Sequence, residues 1–286
     1  MFLDNQRSED CCGCAACSNI CNFSAITMKQ NAEGFYYPEV DKDKCRDCGM
    51  CQKVCPMQDN YVGQTASPAI YAARNHDENI LKDSSSGGMF TLLADWTLKQ
   101  KGVVYGVAFD EDYYVRHMRA ETEEEISKFR RSKYVESDCS SVYFPVADYL
   151  KKGTAVLFCG TSCQVKALYC YLEIRHINMN SLYTIDLICH GVPGIKLLID
   201  YLGETGFKSE NISDLKFRTK NNGIISYQFS GKTDNFGDMN IPASHSSYYD
   251  LFLHSDSYRD QCYHCEYAND HKPGDITIGD YFEARQ

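Results

Sequence analysis

The cysteine spacing of the first 55 residues constrains this chain more than any other feature. Cys11, Cys14, Cys17 and Cys21 read C-x2-C-x2-C-x3-C, and Cys45, Cys48, Cys51 and Cys55 repeat that frame, the second copy running into Pro56. Two C-x2-C steps in one tight loop let three thiolates cap three corners of an iron–sulfur cubane. The fourth cysteine, three residues on, points elsewhere and in two-cluster proteins ligates the neighbouring cluster. The repeat therefore predicts two crossed 4Fe–4S clusters, one on Cys11, Cys14, Cys17 and Cys55, the other on Cys45, Cys48, Cys51 and Cys21. Gly13 and Gly49 fall inside the loops, where backbone must approach sulfide closely. Zinc fits less well, because two C-x2-C pairs satisfy it and leave no use for the remaining cysteines of each frame. Asn22 follows the first frame where the second has Pro56, a departure that bears on loop geometry and not on the ligands. Cys12 is out of register and reads as a packing residue.

Composition narrows the alternatives. A formal charge of -10 over 286 residues argues against nucleic acid and anionic membrane surfaces, both of which call for surplus Lys and Arg. No apolar run reaches the roughly 18–20 residues of a membrane span. The opening "MFLDNQRSEDCC" lacks a basic then apolar leader, so a cytoplasmic protein is expected. Stable disulfides are not expected there, and cysteines at motif spacing read as metal ligands. Outside the two frames lie Cys12, Cys139, Cys159, Cys163, Cys170, Cys189, Cys262 and Cys265.

Beyond a two-cluster unit at 1–60, residues 61–68 read as a linker rich in turn formers and small polar residues. From 69 onward strand and helix signals alternate, so an α+β chain is expected, its ferredoxin-like start followed by an α/β region with a mixed sheet, divided at 69–150 and 151–286. Residues 69–75 ("AIYAARN") read as a strand. The loop 84–88 ("SSSGG") opens a helix at 89–100, and 102–109 and 113–120 read as a hairpin. Thr122 and the acidic turn after it start a helix. Strand 155–159 then runs into loop "GTSCQ" and a helix, and strand 182–189 into loop "HGVPG" and another helix. Two β–loop–α units in succession predict neighbouring parallel strands whose following loops share one rim, which brings Cys163 and Cys189 to the same edge. A three-strand meander, a helix at 248–255, a loop carrying Cys262 and Cys265, and a strand at 275–281 complete the chain, which stops without a tidy ending; a longer natural C-terminus is expected.

Two further sites follow from the residues. Cys163, Cys189, Cys262 and Cys265 could carry a third 4Fe–4S cluster, a zinc ion with His264 or His271, or nothing, as buried thiols. Cys139, Cys159 and Cys170 have no motif partner and read as core. Ser85, Ser86, Gly87 and Gly88 offer hydroxyls and N–H groups at a helix start, and Arg131, Lys133 and Tyr134 lie in a basic stretch, "RRSKYV". Together they point to a phosphate-bearing cofactor. Neither stretch is a Walker A or G-x-G-x-x-G motif.

The stretches "SSSGGMFTLLA", "GVVYGVAF", "RRSKYVESD", "VLFCGTSCQVKAL", "IDLICHGVP", "CYHCEYA" and "DITIGDY", with the two cysteine frames, cover most of the chain. They resemble the beta subunit of coenzyme F420 hydrogenase/dehydrogenase in the form fused to a two-cluster ferredoxin. The resemblance implies an FAD-binding domain with its own 4Fe–4S cluster near the flavin, on Cys163, Cys189, Cys262 and Cys265. It also implies electron passage between a ferredoxin or other iron–sulfur partner and a small-molecule hydride donor or acceptor, with members that end beyond residue 286. The expected activity is that of a flavin- and iron–sulfur-dependent oxidoreductase; no catalytic residue is assigned. An electron-carrier or docking subunit without substrate chemistry is the alternative, and a zinc-stabilised binding protein a third.

Overall fold

The computed structural model describes residues 1–58, 69–207, 212–221, 224–233, 237–269 and 272–281. The expected linker at 61–68 lies outside these residues.

A short helix α1 (Phe2–Asn5) precedes the first cysteine loop, which runs into α2 (Ala16–Ile20). Strands β1 (Ile26–Gln30) and β2 (Tyr36–Val40) pair antiparallel, Ile26 opposite Val40, and the second cysteine loop ends in α3 (Met50–Lys53). The two loops share a geometry. Each turns into its helix through a left-handed residue, Ala15 at φ 60° and Gly49 at φ 69°.

The next segment contains α4 (Glu78–Lys82), α5 (Met89–Lys99), β3 (Val103–Phe109), β4 (Val115–Ala120), α6 (Glu123–Ser127) and α7 (Tyr143–Lys151). Thr122 caps α6 as its sequence predicts: its hydroxyl accepts from the Glu125 N–H at 3.3 Å and the Glu125 carboxylate returns the bond. Then follow β5 (Val156–Thr161), α8 (Ser162–Ile174), β6 (Leu182–Leu187), α9 (Ile195–Glu204), β7 (Ile212–Asn221), β8 (Ile224–Thr233), β9 (Gly237–Pro242), α10 (Ser247–Leu253) and β10 (Ile276–Ile278).

Five strands form one mixed sheet in the order β10-β6-β5-β3-β4, parallel except for β4. The parallel β5–β6 pair, Cys159 opposite Ile185, is the one the repeated β–loop–α pattern predicts. β7, β8 and β9 make a separate antiparallel meander.

Two local expectations are corrected. Residues 69–75 form no strand: Ile70 is 91% exposed and Tyr71 83%, so their β-branched and aromatic character finds no sheet to pack on. The segment instead lies against the Ser/Gly loop, the Asn75 N–H donating to the Gly87 carbonyl at 2.7 Å. Nor does "GTSCQ" form a loop. β5 continues to Thr161, which caps α8 in a box with Gln164, so Cys163 sits in the first helical turn.

Apolar packing joins the N-terminal cysteine region to the main sheet. Ala16, Ile20 and Val54 share a core with Tyr143, Phe158, Val165 and Leu168. Each large side chain so buried contributes about 1.5–3 kcal/mol, so this contact helps hold the two regions together. A second, aromatic core of Phe217, Phe229, Tyr248, Tyr249 and Phe252 underlies the meander and α10. Backbones also meet closely. A Cβ on Gly194 would collide with the Glu33 carbonyl, so the β1–β2 turn sits directly on the start of α9.

Candidate metal centre

Cys11, Cys14, Cys17 and Cys55, with Cys12 and Asp10, line one small cavity of about 30 Å³ whose wall is otherwise apolar and includes Met28 and Met57. The thiols interact electrostatically. Cys12 pulls Cys14 down, but burial and the neighbouring Cys55 carry it to about 11. Cys17 is pushed far above its ordinary value by burial and by Cys11, Cys55 and Cys51. Cys55 is brought to about 11, chiefly by burial, with Cys11 adding. Four thiolates so placed repel one another and are poorly hydrated; an inorganic cluster with cationic iron is the kind of group that compensates them, and its binding releases their protons. The donor set, four thiols drawn from two C-x2-C-x2-C-x3-C frames, is of the kind a cubane takes. The fourth thiol comes from the other frame, as the crossed arrangement requires.

Cys45, Cys48 and Cys51 form the second loop, more open than the first. Cys48 is exposed, and Cys51 is raised by burial and by Cys48 and Cys45. Cys45 Sγ lies 3.6 Å from Asp47 Oδ1. Cys21, expected to complete this set, accepts a hydrogen bond from the Ala25 N–H at 3.3 Å.

The folded chain also gathers Cys163, Cys189, Cys262 and Cys265. Cys189 is an exposed residue, yet its thiol faces the protein and is lifted to about 11 by desolvation there, with Cys163 and Cys265 adding. Cys262 reaches about 12 through burial and then Cys163, Cys189 and Cys265. Cys265 is raised by burial and by Cys163. Strand pairing accounts for half of the set: β5 and β6 are adjacent, so the start of α8 and the loop after β6 share one rim. A short 3-10 helix, Asp260–His264, brings in the other half. His264 is exposed, and His271 lies outside the described residues. Among the described residues no three His, Cys, Asp or Glu groups converge as a single metal ion needs.

Cys12 stands between the first and third sets. Its thiol adjoins those of Cys14 and Cys163, and it is pushed well above its usual value by Cys14 and by burial. Cys139, Cys159 and Cys170 are all buried. Cys139 Sγ lies 3.1 Å from His117 Nδ1, while His117 Nε2 faces the Cys159 carbonyl at 3.2 Å. A carbonyl only accepts, so the proton belongs on Nε2 and Nδ1 is the acceptor.

The Ser/Gly loop and the basic stretch meet: the Ser132 N–H donates to Ser85 Oγ at 2.7 Å. Ser85 and Arg131 line a cavity of about 190 Å³ together with Lys82, Lys216, Arg218 and Lys220. Arg131 pairs with Asp83 and Asp214, Lys216 with Asp214, and Arg218 with Asp280, so five cations meet three carboxylates and positive charge is in surplus. Lys220 Nζ donates to the Ser86 carbonyl at 2.7 Å and is depressed by burial and by Arg218. The other residues of the expected set lie off the cavity wall. Gly88 starts α5, Gly87 packs on Ala73, and Lys133 Nζ donates to the Lys128 and Arg130 carbonyls. The Tyr134 ring packs on Phe252 at 4.9 Å. Sequence reading missed Lys216, Arg218 and Lys220, although "LKFRTK" places cations at every second position of a strand, hence on one face.

These features define a class: a 4Fe–4S dicluster domain joined to an α/β region with a mixed sheet. Residues 10–58 match the 4Fe-4S dicluster domain. The chain belongs to the family of coenzyme F420 hydrogenase/dehydrogenase beta subunits, matching the N-terminal domain of that family over residues 70–143 and its C-terminal domain over 153–286. It is 22% identical over 195 residues to one of the subunits of the F(420)H(2) dehydrogenase of Methanosarcina mazei, covering 64% of this chain and 54% of that protein. It is 43% identical over 68 residues to one of the subunits of the Na(+)-translocating ferredoxin:NAD(+) oxidoreductase complex of Acetobacterium woodii, covering 24% of this chain and 19% of that protein. The chain thus spans about half the length of the first relative and a smaller part of the second. Among solved structures it is similar to a chain of the F420-reducing [NiFe] hydrogenase complex from Methanosarcina barkeri, at 22% identity and a TM-score of 0.40, covering 60% of this chain and 59% of that one. Among the described residues no helix is long and apolar enough to cross a membrane.

Proposed function

We propose that this chain is an iron–sulfur flavoprotein oxidoreductase that passes electrons between a one-electron carrier protein and a two-electron small-molecule substrate. Three 4Fe–4S clusters would be held by Cys11, Cys14, Cys17 and Cys55, by Cys45, Cys48, Cys51 and Cys21, and by Cys163, Cys189, Cys262 and Cys265. When bound, the clusters supply one-electron transfer and a flavin supplies its conversion to hydride chemistry. The observation that carries the reading is Cys12, a single side chain in contact with thiols of the first and third sets.

The chain's own residues give the sets an order. Cys48 and Cys189 are both exposed; the second N-terminal loop, which carries Cys48, serves the entry side, where a partner carrier docks. Cys17 is coupled to Cys51 as well as to its own set, so the second loop adjoins the first. Cys12 then adjoins the third set. The basic cavity is too small for a whole dinucleotide, for which sites run to about 300–1,000 Å³. Its Lys82, Lys216 and Lys220 would suit the phosphates of FAD. The relatives' names, an F(420)H(2) dehydrogenase and a ferredoxin:NAD(+) oxidoreductase, support electron transfer and leave F420 one candidate substrate.

Both relatives are named as subunits, which favours a second reading: an electron-carrier or docking component of a larger redox complex. One experiment separates the two. Protein purified without oxygen and then denatured releases about one flavin per chain on the first reading and none on the second. A Cys163→Ala variant that kept its full iron complement would remove the third cluster from either.

A further inference from the structure

Arg259 and Glu136 form an ion pair at 2.6 Å whose side chains are 0% and 5% exposed. Such a pair is costly to desolvate and persists where further hydrogen bonds satisfy both groups. Here they do, and the partners belong to the first cysteine loop and the strand behind it. Arg259 Nη1 donates to Glu136 Oε1, Nε to the Cys11 carbonyl at 2.6 Å, and Nη2 both to the Tyr36 carbonyl at 2.8 Å and to Cys11 Sγ at 3.5 Å. Glu136 Oε2 accepts from the Tyr36 N–H at 2.9 Å. The guanidinium lies over the Tyr37 ring, 4.1 Å from its centroid. A Cβ on Gly13, at φ 71°, would run into Glu136 and come within 2.9 Å of Arg259 Nη1, so the loop fits here only with glycine.

The arginine is equally fixed to the opposite thiols. It stands three residues before Cys262, whose N–H donates to the Arg259 carbonyl at 2.8 Å. The Arg259 N–H in turn donates to Val192, in the loop after Cys189, at 3.0 Å. One side chain therefore spans the Cys11 loop and the Cys189–Cys262 region.

We propose that Arg259 is a positioning residue that holds these two thiol regions in register and, through its N–H to Cys11 Sγ, raises the reduction potential of the cluster on Cys11, Cys14, Cys17 and Cys55. The inference rests on a cluster being bound there. Reduction adds negative charge to a cluster, and a cation donating to one of its thiolates stabilises the reduced state more than the oxidised one. Glu136, its charge beside the same loop, acts in the opposite sense.

The test is a redox titration followed by paramagnetic resonance on the full chain, purified without oxygen and assayed for iron and sulfide, in wild type, Arg259→Lys and Glu136→Gln. Lysine can keep the pair with Glu136 but cannot also reach Cys11 Sγ, Cys11 O and Tyr36 O. The reduced-to-oxidised ratio of one cluster at fixed potential should fall about tenfold, a shift of about 59 mV for a one-electron couple. Glutamine removes the negative charge and keeps an acceptor, so the same cluster should shift upward. Opposite shifts at full iron content are the expected result, because a merely structural role moves both variants the same way. Shifts in one direction, or none, at full iron content overturn the proposal. Should Arg259→Lys fail to accumulate, the absence of an upward shift in Glu136→Gln does so alone. A wild-type chain with no iron–sulfur signal sinks the cluster assignment itself, and the proposal with it.

Discussion

The thiol of Cys12, in the first cysteine loop, adjoins the thiol of Cys163 in the first turn of α8. Strand order makes the meeting possible: β5 delivers Cys163 to the rim beside β6, and the core around Ile20, Val165 and Leu168 presses the N-terminal loops onto that rim. Two thiol sets far apart in sequence become neighbours, with one sulfur between them.

Replacing that sulfur separates a bridging role from a ligand role. Cys12→Ala removes the thiol that adjoins Cys14 and Cys163 and leaves both proposed ligand sets whole. Iron content should stay at the wild-type value while unfolding stability drops by about 1 kcal/mol, an ordinary cost for a buried substitution. Iron analysis and anaerobic denaturant titration read the two effects. Loss of a cluster's worth of iron would instead make Cys12 a ligand.

The basic cavity should bind anionic cofactor through its cations. Lys82→Ala and Lys216→Ala each remove one charge from the wall. A charge-assisted hydrogen bond is worth roughly 1.5–3 kcal/mol, so each variant should weaken FAD binding about tenfold or more. Flavin fluorescence titration of deflavinated protein measures this, and added salt should weaken wild type more than either variant. Unchanged affinity in both variants would place the phosphates elsewhere.

His117 should give the fold an acid-side weakness. Burial lowers it from 6.5 to about 4, so it stays neutral in the folded chain while the unfolded chain takes up a proton as pH falls below 6.5. Its contribution to stability is complete above pH 6.5 and is lost progressively as pH falls toward 4. Between about pH 7.5 and 5.5 that is roughly 1 kcal/mol. His117→Gln keeps a donor for the Cys159 carbonyl and does not titrate, so its stability should be flatter over this window. An equal slope in the variant would assign the acid sensitivity to other groups.

Legibility in the sequence followed how local each cause was. The cysteine frames and the Thr122 cap depend on neighbours a few residues away, and both are visible as strings. The shared rim of Cys163 and Cys189 followed from a repeated β–loop–α pattern, since parallel crossovers leave little choice. Their meeting with Cys262 and Cys265 depends on where a distant loop lands, which no spacing encodes. Ile70 and Tyr71 looked like strand residues and became exposed coil, because strand character needs a partner that local sequence cannot supply. The alternating cations of β7 were readable in principle from a period of two. Arg259 was not: a single arginine before a C-x2-C pair carries no signal until Glu136, Cys11 and Tyr36 surround it.

The central claim is that three thiol sets hold three clusters, and a metal count tests it most directly. Chain reconstituted with iron and sulfide without oxygen, then desalted, should carry about twelve iron and about twelve sulfide. Dithionite should then produce paramagnetic signals from interacting clusters. About eight iron would leave the thiols at Cys163, Cys189, Cys262 and Cys265 without a cluster, and zinc with no labile sulfide would contradict the account altogether.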